Sequence, residues 1–250
     1  MCLLVVAWGL HPTLQLIVAA NRDEQHGRAT AALDRWPEIP GMAAGRDLVA
    51  GGSWLAADTR GRFACVTNFR GEPSPAGSSH SRGRLVTDFL AGERSAEAYL
   101  AQLAHTAQEF PGFNLLLAEP DALWYASNRD PGFARRLGVG VHGLSNDLLD
   151  VGWPKVARCK QGLRDALDEG VALAPTLYAL LAEREPGPTP PAAGLPWPAT
   201  SGPFIAHERY GTRCSTVVMR QRGSTWLGER RFGPGGEPAG ESQLRLAHAS

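Results

Sequence analysis

The sequence predicts an α+β fold built from antiparallel hairpins, on three observations. Apolar runs of strand length recur in pairs around short turns rich in Gly, Pro and Asp. Helical patterns come as consecutive pairs. The strand–helix–strand alternation that marks a parallel sheet is absent. At 250 residues and 43% apolar content, the chain can bury a full core as one domain, residues 1–250.

The first hairpin pairs a strand at 2–8, Cys2-Leu3-Leu4-Val5-Val6-Ala7-Trp8, with a strand at 14–20 across a turn at 9–13. A second runs from Leu48 to Ala56, turns at Asp58-Thr59-Arg60-Gly61 and returns from Arg62 to Phe69. Residues 70–80, rich in Gly, Pro and Ser, read as a loop. Helices follow at 81–91 and 95–108, with Ser81 and Ser95 as N-caps. Short strands come next at 113–118, 123–127 and 139–144. Pro154 starts a helix to about residue 169, and Pro175 another to about residue 185. The proline-rich stretch 186–203 reads as a connector or lid. Strands at 212–220, 224–232 and 242–248 close the chain.

Composition narrows the partners. Twenty-five basic and 25 acidic residues cancel, so nothing directs the chain to nucleic acid or an anionic membrane surface. Residues 3–20 are largely apolar, but they lack a basic leader and are cut by His11-Pro12-Thr13. No apolar run is long enough to span a bilayer. Cysteines 2, 65, 159 and 214 have neither zinc-site nor disulfide-framework spacing, and no C-x-x-C-H haem motif is present. The expectation is a cytoplasmic protein with no metal or cofactor, and the sequence sets no oligomeric state.

Cys2 carries the first candidate chemistry. Methionine is normally removed ahead of so small a residue, which leaves a thiol and a free α-amino group on one residue. The amine, with an ordinary pKa of about 7.7–8.0, can take the proton of a thiol whose own is about 8.5. The thiolate is the reactive form. A small buried packing residue is the alternative reading. Asn21-Arg22-Asp23-Glu24 ends the second apolar strand and reads, taken alone, as a solvated turn.

Taken with other stretches, that tetrapeptide becomes specific. Met1-Cys2, Asn21-Arg22-Asp23-Glu24, Gly51-Gly52-Ser53-Trp54-Leu55, Thr67-Asn68-Phe69, Arg82-Gly83-Arg84, Gly143-Leu144-Ser145-Asn146, Trp153-Pro154-Lys155 and Tyr210-Gly211-Thr212-Arg213 occur in this order. Together the chain resembles the NRDE-motif family, also called the transport-and-Golgi-organisation family. The resemblance implies a branch of the N-terminal-nucleophile hydrolase fold, a four-layer α-β-β-α sandwich. Eukaryotic relatives of that family are linked to Golgi organisation, lipid homeostasis and haem mobilisation.

A more distant resemblance is to the cysteine members of that hydrolase fold, the penicillin V acylase and bile-salt hydrolase group. It implies Cys2 as nucleophile, Asp23 as the carboxylate near the amine, Asn68 and Asn146 as oxyanion donors, and Arg213 as the arginine beside the nucleophile. Asn21 and Arg22 are the substrate-binding candidates beside Asp23, and Trp54, after Gly51-Gly52, can wall the pocket, since glycines allow close backbone approach, or be a core tryptophan. Ala20 stands where that group has an arginine. Arg22 shares the face of Ala20 and can replace it only if the strand stays extended there. Arg82-Gly83-Arg84 at a helix start can bind a phosphate or carboxylate, or be a solvated turn. Three functions remain open: a cysteine amidohydrolase acting on a small linear amide or N-acyl compound; a carrier of a hydrophobic metabolite such as haem or an acyl thioester; and a scaffold with a vestigial cleft.

Overall fold

β1 (Leu3–Trp8) is buried along its whole length, as expected of a run of bulky apolar residues with a strand on each side. The computed structural model describes residues 3–69, 80–170, 173–185 and 201–249. Cys2, most of the 70–80 loop and residues 186–200 of the expected connector lie outside the described residues.

β1 pairs antiparallel with β2 (Leu14–Gln25) on one side and, on the other, with the strand at Gly140–Leu144. β2 also pairs with the strand at Tyr210–Gln221, which leads on to strands at Ser224–Phe232 and Pro238–Ala247. These six form one sheet. The second sheet has seven antiparallel strands: β3 (Thr30–Arg35), β4 (Met42–Asp47), β5 (Leu55–Asp58), β6 (Phe63–Asn68), β7 (Phe113–Ala118), β8 (Leu123–Ser127) and β9 (Ala134–Arg136). In chain order the remaining strands are β10 (Gly140–Leu144), β11 (Tyr210–Gln221), β12 (Ser224–Phe232) and β13 (Pro238–Ala247).

Three apolar clusters define four layers. Between the sheets, Leu4, Val6, Leu16, Val18 and Ala20 meet Leu55, Phe63, Cys65 and Leu116. On the outer face of the first sheet, Leu3, Val5, Ile17 and Ala19 pack on α3 (Pro154–Asp168) and α4 (Leu173–Leu181) through Val156, Cys159, Leu163, Leu177 and Leu181. On the outer face of the second, Ala56, Ala64 and Val66 pack on α1 (Gly83–Ala91) and α2 (Ala96–Leu103). The order is α-β-β-α, the four-layer sandwich of two antiparallel sheets flanked by helices expected from the sequence. The period-two alternation of β1 and β2 accounts for it, since even-numbered residues enter the inter-sheet core and odd-numbered ones the helical layer.

Several boundaries differ from expectation. β2 runs on to Gln25, so Asn21-Arg22-Asp23 is strand and not turn, and these three residues are almost fully buried. Ser95 caps α2 by accepting from the Ala98 amide at 3.2 Å, whereas α1 starts at Gly83 with Arg82 at its cap position. Pro175 sits inside the first turn of α4 and does not start it. β3, β4 and β9 have no counterpart in the sequence reading.

Register brings four chain segments to one end of the sandwich. Leu3 opposes Asn21, and Leu4 opposes both Ala20 and Leu144. The chain leaving β10 therefore passes the polar end of β2 where β1 starts. It meets the end of β6 from the other sheet, where the Thr67 hydroxyl donates to the Ser145 carbonyl at 3.2 Å.

Candidate functional site

The polar end of β2 sends its residues in opposite directions. Arg22 has the parity of Ala20 and stays extended, so the condition for it to take over Ala20's face is met. Its guanidinium carbon lies 4.3 Å from the centroid of the Trp54 ring. The Cζ2 and Cη2 atoms of that ring lie against Gly45, where a Cβ would come within 2.4 Å of both. Glycine is required there because the indole occupies the space. Arg22 and Trp54, both nearly fully buried, thus form a desolvated cation–π pair.

Asn21 and Asp23 turn towards the helical layer. The Asn21 amide donates to the Leu181 and Pro203 carbonyls, both at 2.8 Å, and its carbonyl accepts from the Ser215 hydroxyl at 2.6 Å. All its polar atoms are committed to holding α4 and the segment after 200 against the sheet. Asn21 therefore braces α4 and that segment, and its carboxamide faces away from Arg22. Asp23 accepts from the Thr212 hydroxyl at 2.7 Å, and that hydroxyl in turn accepts from the Ile205 amide at 2.9 Å.

Asn68 and Asn146 do converge. The Asn146 side-chain amide donates to the Asn68 backbone carbonyl at 3.2 Å. Among the described residues the Asn68 carboxamide itself has no hydrogen-bond partner, and it lines a cavity of about 420 Å³ together with Arg22 and Trp54. A neighbouring clasp fixes the loop that carries Asn146. Asp150 accepts from the Gly143 amide at 2.8 Å and meets His142 Nδ1 at 3.1 Å, with Lys160 bound to its other side. The Asp150 contact holds the His142 pKa above 6.5 against the lowering effect of burial. Burial would raise the Asp150 carboxyl, but the bonds from His142, Lys160 and the Gly143 amide bring it down to about 2.

The cavity's remaining lining is ionic. Arg28 donates twice to Asp47, at 2.9 and 2.8 Å, and lies 3.9 Å from Glu24. Burial would raise the Asp47 pKa, but Arg28 and the Val49 and Ala50 amides bring it below the ordinary carboxylate value. Arg82 enters from the start of α1, and the only hydrogen bond of its side chain among the described residues is to the Gly112 carbonyl at 3.2 Å. Its position depends on two glycines in contact. A Cβ on Gly52 would lie 2.5 Å from the Gly83 carbonyl carbon, and the Ser53 amide donates to the Gly83 carbonyl at 3.3 Å. Glu24 stands out in the sequence only as the last residue of the Asn21-Arg22-Asp23-Glu24 motif, and Arg28 and Asp47 not at all, because only the folded loops bring the three together.

Arg213 does not join the cavity. It is the extra residue of a bulge, since Thr212 opposes Asp23 and Cys214 opposes Arg22. Its guanidinium donates to the carbonyls of Gln25, His26 and Arg28 at 2.9 to 3.1 Å, closing the turn after β2. The expected nucleophile-side arginine is thus a turn clamp, and the arginines that face the cavity are Arg22, Arg28 and Arg82. Cys65, Cys159 and Cys214 are buried packing residues. Burial raises all three thiols, that of Cys159 to about 12. Among the described residues, no three His, Cys, Asp or Glu side chains form a metal-binding group, and no helix is long and apolar enough to cross a membrane.

Residues 1–234 match the family described as Transport and Golgi organisation 2. The Bos taurus Transport and Golgi organization protein 2 homolog is 34% identical over 226 residues, 82% of each chain. The Homo sapiens homolog is 34% identical over 167 residues, 64% of this chain and 60% of that one. The Drosophila melanogaster Transport and Golgi organization protein 2 is 29% identical over 162 residues, 59% of this chain and 57% of its own. Among solved structures, the Caenorhabditis elegans ortholog of N-acylethanolamine-hydrolyzing acid amidase aligns over 87% of this chain and 92% of its own, with 11% identity and a TM-score of 0.47.

Proposed function

The chain belongs to the Transport and Golgi organisation 2 family, and on that premise we propose that it is an N-terminal-cysteine amidohydrolase acting on a small, linear, polar amide or N-acyl compound. The observation that carries this reading is the uncommitted Asn68 carboxamide facing the cavity beside Arg22, at the end of the sandwich where β1 begins. A half-buried amide donor with no acceptor among the described residues suits a developing oxyanion, which is absent in the resting protein.

With Met1 removed, the Cys2 amine takes the thiol proton and the thiolate attacks the amide carbon. The carbonyl π pair moves onto oxygen, where the Asn68 carboxamide donates to it. Asn146 is the positioning residue for Asn68, because it holds that residue's backbone carbonyl. Collapse of the tetrahedral species breaks the C–N bond as the ammonium returns its proton to the leaving nitrogen. The thioester is then hydrolysed by water with the amine as base, which releases the acid and restores the thiol.

Asp23 orients the ammonium, with one of its oxygens fixed by Thr212. Its turning away from Arg22 is compatible with that role. The amine of a chain-terminal residue continues the line of the strand, so it can address one face while the side chain serves the other. Arg22 provides the positive field that favours thiolate. The lining of Arg22, Glu24, Arg28, Asp47 and Arg82 favours a polar amide over a hydrophobic metabolite as occupant.

A panel of small N-acyl amides tests the reading by amine release. The wild-type protein is expected to turn over at least one member. Cys2→Ala is expected to abolish turnover with its unfolding midpoint unchanged. Turnover that survives Cys2→Ala refutes the assignment.

A further inference from the structure

We propose that the substrate is an anion, an amide bearing a carboxylate or phosphate that Arg82 holds inside the cavity. This deepens the amidohydrolase reading and rests on it for the bond that is cut. The charge inventory of the cavity carries the argument. Its lining includes three arginines, Arg22, Arg28 and Arg82, but only two carboxylates, Glu24 and Asp47. Those two are not shared equally. Arg28 takes Asp47 through two hydrogen bonds and also lies beside Glu24. Arg22 faces Glu24 at 3.9 Å and has Trp54 stacked on its plane.

Arg82 has neither. Among the described residues no carboxylate lies within 4 Å of it, and one of its nitrogens is spent on the Gly112 carbonyl at 3.2 Å. A guanidinium has five donors in a planar fork and remains charged at any physiological pH. The remaining donors match the paired oxygens of a carboxylate or phosphate, an arrangement stronger than neutral hydrogen bonding.

The mounting is rigid. Arg82 immediately precedes Gly83, whose carbonyl carbon would lie 2.5 Å from any Cβ at Gly52, and the Ser53 amide binds the same carbonyl. Backbone packed against backbone leaves little freedom in where the guanidinium starts. Arg84, two residues on, is exposed and lies 3.8 Å from Asp88 on α1. One arginine of the Arg-Gly-Arg segment therefore faces the cavity, and the other belongs to the solvated helix surface.

Isothermal titration of the Cys2→Ala protein with inorganic phosphate tests the proposal, because that protein performs no turnover to confuse the heat. Saturable binding at one site per chain is expected. Adding Arg82→Gln should weaken it by about 10- to 100-fold, the loss of one or two charge-assisted hydrogen bonds. Arg82→Lys, which keeps the charge but not the fork, should fall between, and Arg84→Gln should bind as the parent does. Unfolding midpoints are measured alongside. Should Arg82→Gln not fold, the comparison rests on Arg82→Lys, for which parental affinity overturns the proposal.

Binding of neither phosphate nor acetate, or equal affinity of the parent and Arg82→Gln for both, also overturns it. Titration with acetate then separates the two headgroups: affinity that falls in Arg82→Gln for acetate alone assigns a carboxylate, and for phosphate alone a phosphoryl group. Since Cys2 is absent throughout, failure here is distinct from failure of the amidohydrolase reading, which is decided by turnover.

Discussion

Gly52→Ala is the sharpest test of how the cavity is built. The new Cβ would lie 2.5 Å from the Gly83 carbonyl carbon, 2.8 Å from its oxygen and 2.9 Å from its Cα. All three are backbone atoms, so no side-chain rotation relieves the clash. Ordinary carbon contacts need about 3.5–4.0 Å, so the start of α1 must retreat by roughly 1 Å. Overpacking of this kind costs about 1–3 kcal/mol, and loss of the Ser53–Gly83 hydrogen bond adds about 1. The stiffer unfolded chain returns about 0.4–1 kcal/mol. The net expectation is a loss of about 1–3 kcal/mol, or roughly 3–10 °C in Tm for a chain of this size.

Gly27→Ala is the matched control, because nothing lies within 4 Å of its Cβ position. It should fall within about 0.5 kcal/mol of the parent or slightly above it. Urea unfolding of both variants gives the comparison. A Gly52→Ala protein as stable as Gly27→Ala would refute the argument that α1 and Arg82 are set by glycine contact.

Two further outcomes follow from the same geometry. Asn68→Ala should lower kcat for a turned-over amide by about 10²–10³-fold with little change in KM, the usual loss for one oxyanion donor; an unchanged kcat would remove Asn68 from that role. The His142–Asp150 clasp should make stability pH-dependent: His142 binds its proton more tightly folded than unfolded, so its contribution is full below pH 6.5 and is lost as pH rises through the raised folded value. Unfolding midpoints measured across that window should fall in the wild type and not in His142→Gln, with Lys160 still facing Asp150 in both; equal pH profiles would contradict the clasp.

What could be read from the sequence divides along physical lines. The four layers were legible, because β1 and the apolar half of β2 are continuous buried runs and the helices carry clear amphipathic and capping signals. The end of β2 was not. Asn21 and Asp23 look like turn residues until Leu181, Pro203, Ser215 and Thr212 supply partners for them inside the fold. β4 was hidden by composition, since Met42-Ala43-Ala44-Gly45 has little strand preference, and its glycine is explained only by the Trp54 ring above it. β3 is a partly exposed edge without clean alternation.

At the site, Arg22, Trp54, Asn68 and Asn146 were nameable from motifs, and the structure brings them to one end of the sandwich. Arg213 was placed beside the nucleophile by the resemblance to the cysteine hydrolases alone. The bulge that instead aims it at the turn carbonyls depends on register, which no local pattern encodes. Arg28 and Asp47 are 19 residues apart and meet only once β3 and β4 have folded back.

The intact mass of the protein after brief iodoacetamide treatment at neutral pH, with the adduct mapped by peptide, tests the central claim most directly. Cys65, Cys159 and Cys214 are at most 3% exposed, and burial holds their thiols protonated. The account predicts a chain without Met1 that carries a single adduct, on Cys2. A chain that retains Met1, or one whose Cys2 stays unmodified while a buried cysteine reacts, would contradict it.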